Sequence, residues 1–186
     1  MRSEYLGEWR VDVAWREGVP RPVAGAALAR AVAAALNAAP APGPASIGLI
    51  LSDDAELASL NADHMGKSGA TDVLSFPLLP PSAFPDHPGK APAGPGGESG
   101  DVPGTGFTLP PGTRPHLGDI VVSVERAIDQ AEAGRGGQTG DVRWDAGDEL
   151  RLLVTHGALH VCGWDHAEPQ EEAAMRALER RLLARA

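Results

Sequence analysis

Between residues 8 and 15 the chain runs E-W-R-V-D-V-A-W, and Trp9, Val11, Val13 and Trp15 alternate with Glu8, Arg10, Asp12 and Ala14. An apolar residue at every second position marks a strand with one face on a core. The period then lengthens. From Pro22 to Asn37 the chain is Ala-rich, with Leu28, Val32 and Leu36 four residues apart, which predicts a helix with a proline near its start. S-I-G-L-I-L (46–51) predicts a second strand. Asp53 and Glu56 follow at capping-box spacing and open a helix expected to run to about Met65. T-D-V-L-S-F (71–76), stopped by Pro77, is a third strand, and L-G-D-I-V-V-S (117–123) a fourth that leads into a helix over 124–133. Two more helices are expected, one from about Trp144 to Val161 and one opening at Pro169. Glu171 and Glu172 at the start of the second, and Arg180, Arg181 and Arg185 towards its end, suit the helix dipole. The order β-α-β-α-β, loop, β-α-α-α predicts an α+β fold: a single layer of about four strands in a mixed sheet, covered by about five helices.

Two stretches break the pattern. Residues 80–116 hold 10 prolines and 8 glycines in 37 positions, with few large apolar residues. Such a segment buries too little surface to offset its ordering entropy, so it reads as a mobile insertion whose removal leaves the fold and its chemistry nearly intact. Residues 134–140 are a second flexible stretch. A length of 186 residues suits one domain, 1–186, interrupted by the insertion.

The formal net charge of −9 argues against a non-specific nucleic-acid binder, and no DNA partner is expected. A metal ion can still draw a phosphate locally. No apolar run is long enough to span a membrane, the first residues lack a signal-peptide core, and the single cysteine, Cys162, cannot form an internal disulfide. A cytoplasmic protein with no membrane partner is expected.

The chemistry gathers in T-H-G-A-L-H-V-C-G-W-D-H (155–166). His156 and His160, four apart, project from one helix face about 6 Å apart along the axis. His166 cannot share that face, since six residues beyond His160 an ideal helix has turned roughly 240°. Gly163 lies between them and can take the left-handed conformation that ends a helix and returns the chain. Three neutral imidazoles with a fourth position open describe a catalytic zinc site, one ion per chain, held by His156, His160 and His166. Cys162 falls on the far side of the helix and reads as a small buried apolar residue. In peptidases with H-E-x-x-H-x-x-G-x-x-H the residue after the first histidine is the general base. Here it is Gly157, which moves no proton.

With these elements placed, the chain resembles the YbeY-type rRNA-maturation endoribonucleases of bacteria. The resemblance rests on Leu60-Asn61 followed by T-D-V-L-S-F-P (71–77), on L-G-D-I-V-V-S (117–123), and on H-G-A-L-H-V-C-G-W-D-H (156–166), in the family's order. It implies a zinc hydrolase fold related to metal peptidases, with a zincin-like metal-bearing helix. It also implies single-strand-specific endoribonuclease activity, maturation of the 3′ end of small-subunit rRNA, and a part in ribosome quality control. The implied partners are single-stranded RNA, rRNA and the small ribosomal subunit. The family's three metal ligands map onto His156, His160 and His166. One departure stands out: many members carry an arginine a few residues after the L-N pair, thought to hold RNA phosphate, and here Met65 stands in its place. Lys67, or His64, is a candidate to supply that cation, and Thr71 and Ser75 are candidates to line the RNA path.

No general base flanks the histidines. Asp165 and Asp119 are the candidate catalytic carboxylates, each with a structural reading beside it: Asp165 fixing the turn, Asp119 holding a loop amide. Asp72 reads as a buried hydrogen-bonding group. Two other classes keep the same three ligands: a non-catalytic ribosome-associated zinc protein, and a metal-dependent peptidase with a carboxylate supplied from elsewhere in the chain.

Overall fold

The computed structural model describes residues 1–88, 113–134 and 144–184. Strand β1 (Arg2–Leu6) turns through Gly7, at φ +63°, into strand β2 (Trp9–Trp15), and the two pair antiparallel with Leu6 opposite Trp9. Helix α1 (Gly25–Ala38) crosses over to β3 (Ala45–Ser52), which lies parallel to β2. Helix α2 (Asp54–Met65) follows, then the edge strand β4 (Val73–Pro77) and a 3-10 turn at Pro81–Ala83. Strand β5 (His116–Ser123) inserts between β3 and β4, parallel to the first and antiparallel to the second. Helices α3 (Val124–Glu132), α4 (Ala146–Val161) and α5 (Pro169–Leu183) complete the described chain.

The sheet is mixed, as expected, but has five strands in the order β1-β2-β3-β5-β4 rather than about four. The extra strand is β1. Its residues are mostly exposed, so R-S-E-Y-L carries no alternation to read, and it is a strand only because β2 offers it a partner. The five helices stand where the sequence led us to expect them, although α1 begins at Gly25, three residues after Pro22.

One face of the sheet carries the main core. Val11, Val13, Ile47, Leu49, Leu51, Ile120 and Val122 meet Leu28, Val32 and Leu36 of α1 and Leu150, Leu153, Val154, Ala158 and Leu159 of α4. The other face carries a smaller cluster in which Leu57 of α2 packs on Leu74 and Val121. Helix α4 therefore lies directly on β4 and β5, with α1 and α5 beside it.

Most of the Pro/Gly-rich segment expected to be mobile, 89–112, lies outside the described residues, as do 135–143. Its first part does not behave as expected. Phe84 is 5% exposed and belongs to the main core, and His87 stacks on Trp164 with ring centroids 4.0 Å apart. A large aromatic side chain seals the edge of a core even when prolines flank it. Phe84→Ala is expected to lower unfolding free energy by about 3–5 kcal/mol, read by denaturant titration of the metal-free protein. A cost below about 1 kcal/mol would mean that the segment is an appendage from residue 80 onward, as its composition suggests.

Candidate metal centre

Helix α4 is buried along most of its length and starts from a capping box in which the Asp145 side chain accepts from the Asp148 amide at 2.9 Å and Asp148 returns the bond. Its C-terminal half carries His156 and His160 on one face. Their Nε2 atoms are 3.0 Å apart. The helix ends at Cys162, and Gly163, at φ +81°, takes the left-handed conformation that reverses the chain. The turn brings His166 to the same place, with its ring centroid 5.6 Å from that of His156 and 5.0 Å from that of His160. One ligand nitrogen from each of the three histidines lies within 4.8 Å of the other two.

The electrostatics suit a cation. His156 Nδ1 is 2.7 Å from Oε1 of Glu179, a residue of α5 that is only 3% exposed. A proton on Nδ1, donated to that carboxylate, leaves the Nε2 lone pair facing the other imidazoles. Burial and the neighbouring His156 and His166 hold the His160 pKa down at about 4, so that ring is neutral at pH 7, the form that binds metal. The two Nε2 atoms, 3.0 Å apart, lie close enough for one ion to take both as ligands. The donors fit zinc, which favours imidazole nitrogen and tetrahedral geometry. Cys162 is not among the converging groups: it is 1% exposed, and burial pushes its thiol up to about 12.

The turn that carries His166 is braced from two sides. The Asp165 side chain accepts from the His166 amide at 2.7 Å, while the Asp165 amide donates to Glu171 Oε1 at 3.0 Å. Glu171 is 5% exposed and lies 3.5 Å from His87 Nε2. Trp164, which His87 covers, anchors the same turn in the core. Asp165 thus stands at the rim of the centre with its carboxylate engaged in shaping the turn.

The other candidates fall in different places. Asp119 is on β5 opposite Gly48, and a Cβ built on Gly48 would stand 2.0 Å from its Oδ1. Its neighbour Ile120 faces α4 at Gly157, so Asp119 points to the opposite side of the sheet, where it meets His116 at 3.2 Å. The sheet separates it from the histidines. Ser75 is under α4, where its hydroxyl donates to the Gly157 carbonyl at 3.0 Å. Thr71 donates to Asp72 Oδ1 at 3.2 Å. Met65 is 46% exposed at the end of α2, and Lys67 is exposed just beyond the left-handed Gly66 that ends that helix.

Asp72 is the expected hydrogen-bonding group, accepting from Val73 N, Thr71 Oγ1 and Gln130 Nε2, but it is half-buried rather than buried. It precedes β4 and escapes the strand's alternation, turning instead into a cavity of about 310 Å³ that it shares with Glu149, His156, His166, Arg176 and Glu179. Glu149 is 4% exposed, and burial raises its pKa although Trp144 Nε1 donates to it at 2.7 Å. Glu149, Glu171, Arg176 and Glu179 were not identified as site residues by motif. A signal for two of them does exist: Glu171, Met175, Leu178 and Glu179 fall on one i, i+4, i+7, i+8 stripe, so both glutamates sit on the apolar face of α5.

A family model described as "Endoribonuclease YbeY" matches residues 18–186. That span, which includes the helix and turn that hold the histidines, decides the family. The chain belongs to the endoribonuclease YbeY family. A YbeY endoribonuclease from Mycobacterium sp. (strain KMS) is 36% identical over 186 residues, covering 98% of this chain and 82% of the relative. The YbeY endoribonuclease from Mycolicibacterium paratuberculosis is 38% identical over 185 residues with the same coverage, and the one from Mycobacterium tuberculosis (strain ATCC 25177 / H37Ra) is 36% identical over 185. Among solved structures, the solution structure of a protein from Thermotoga maritima is similar at a TM-score of 0.48 and 18% identity, covering 94% of this chain and 90% of that one. No helix among the described residues is long and apolar enough to cross a membrane.

Proposed function

We propose that this YbeY-family chain is a zinc-dependent, single-strand-specific endoribonuclease that works in the cytoplasm as one domain, on small-subunit rRNA 3′ ends and in ribosome quality control. One observation carries the reading: His156, His160 and His166 offer three nitrogens to one point beside an open cavity, in a chain whose relatives are named endoribonucleases. When bound, zinc supplies Lewis acidity that makes water ionise near neutral pH and draws charge from a phosphoryl group. The chain's own residues do the rest. His156 and His160 bind from rigid α4, while His166 binds from the braced turn. Glu179 holds the His156 ring in one tautomer. Asp165, within electrostatic reach of His160, is a candidate to receive a proton at the rim.

The peptidase reading loses its usual base for a structural reason. A Cβ on Gly157 would point at Ile120, Val73 and Ser75, into the sheet rather than into the cavity.

The cavity beside the histidines is rich in carboxylates, and Arg176, paired with Glu172 at 2.5 Å, is the lining cation among the described residues. Phosphate positioning is therefore the step this chain performs least strongly. Met65→Arg, which places a bidentate phosphate donor at the end of α2, is expected to raise cleavage of a fluorescent single-stranded RNA several-fold, while Lys67→Ala weakens RNA binding and lowers its salt slope by about one unit or less. Zinc content should be unchanged in both. A zinc-loaded wild type that leaves RNA intact, with Met65→Arg equally inert, would favour the non-catalytic ribosome-associated protein.

A further inference from the structure

We propose that Glu179 is the positioning residue of the metal centre, its carboxylate setting the tautomer and ring angle of His156 and so the affinity of the site for its ion. The inference rests on the metal-centre reading above and is tested by metal affinity alone, independently of any RNA cleavage.

A glutamate near the end of a surface helix, in the run A-L-E-R-R, ordinarily faces solvent. Glu179 is 3% exposed, and its Oε1 meets His156 Nδ1 at 2.7 Å, a charge-assisted length. Burying a carboxylate costs several kcal/mol unless a partner compensates, so the fold retains this one against a penalty. The same helix holds Glu171 two turns earlier, buried and bonded to the Asp165 amide. Helix α5 therefore touches the centre twice, once at the ligand on the rigid helix and once at the turn that presents His166.

The consequences follow from the imidazole. A neutral ring carries its single N–H on Nδ1 or on Nε2, and only the first leaves Nε2 free to bind metal. A carboxylate at Nδ1 selects that tautomer, restrains rotation of the ring about its outer bond and makes Nε2 a stronger donor. Without it, His156 keeps its place on α4 but has to be oriented at the moment of binding. Loss of an outer-shell partner of this kind weakens metal binding by about 10–100-fold.

The experiment measures zinc affinity by competition with a chromophoric chelator, and records the visible spectrum of the cobalt-substituted protein, for wild type, Glu179→Ala and Glu179→Gln. Melting of the metal-free proteins is followed in parallel. The expected result is a loss of at least about 10-fold in Glu179→Ala, a shifted cobalt spectrum, and recovery of most of the loss in Glu179→Gln, which keeps an acceptor oxygen in the same place. Should Glu179→Ala not fold, Glu179→Asp, still acidic but one methylene too short to reach Nδ1, takes its place with the same expectation. Zinc binding within threefold of wild type in the Ala or Asp protein would overturn the proposal, as would a lower metal-free melting temperature with affinity and spectrum unmoved. Equal losses in Ala and Gln would also overturn it. If wild type itself binds no zinc, the metal-centre reading fails first, and Glu179 has no ion to position.

Discussion

Each of His156→Ala, His160→Ala and His166→Ala is expected to drop zinc from one equivalent per chain to a small fraction, with affinity weakened by at least about 100-fold and RNA cleavage lost. Two imidazoles and solvent cannot hold the ion as three do, and the single cysteine, Cys162, is buried and protonated. The variants differ in what else they change. His160 is half-buried on α4, so its truncation also leaves space in the packed region, whereas His166 is exposed on the turn. His166→Ala should therefore lose metal while the metal-free protein melts within about 2 °C of wild type, which makes it the cleanest of the three. Metal analysis after gel filtration, with thermal melting in the presence of a chelator, reads both effects. Full occupancy in His166→Ala would show that the ion is held by groups other than this trio.

A second large effect is expected at Gly157. In an exposed helix interior, replacing glycine by alanine adds about 1 kcal/mol of stability. Here the added methyl would lie 2.6 Å from Ile120 Cγ2, 3.1 Å from Val73 Cγ2 and 3.2 Å from Ser75 Oγ. All three sit on strands that α4 presses against, and Ser75 is bonded to the Gly157 carbonyl itself. Overpacking at such a contact costs about 1–3 kcal/mol, so the clash outweighs the helical gain and Gly157→Ala is destabilising. Gly157→Glu, which would restore the peptidase sequence, adds a buried unpaired carboxylate and should cost more than about 3 kcal/mol, or prevent folding. Chemical denaturation of the metal-free proteins gives the comparison. An alanine variant as stable as wild type would show that α4 can lift from β4 and β5 at no cost.

Much of this protein was legible locally. Period-2 alternation found β2, an apolar stripe found α1, a capping pair found α2, and a proline with dipole-matched charges found α5, because those signals depend only on residues near in sequence. His156 and His160 were readable for the same reason, as a helix relates positions four apart by geometry alone. Gly163 announced the reversal, since a left-handed residue is tolerated best where a Cβ is absent.

Tertiary structure decided the rest. Strand β1 exists because β2 has an edge to offer, and nothing in R-S-E-Y-L foretells it. Asp119 and the histidines are close on paper as polar residues of matching motifs, yet strand alternation and the placement of α4 put the sheet between them. Phe84 and His87 dock on the core from a segment whose composition predicts none. Glu179 is 23 residues from His156, and only the angle at which α5 returns across α4 brings its carboxylate to the imidazole. Sequence determines which residues can share an element, because backbone geometry repeats. Which elements meet is settled by burial of the apolar faces, a sum over the whole chain, and the environment of each polar group follows from that packing.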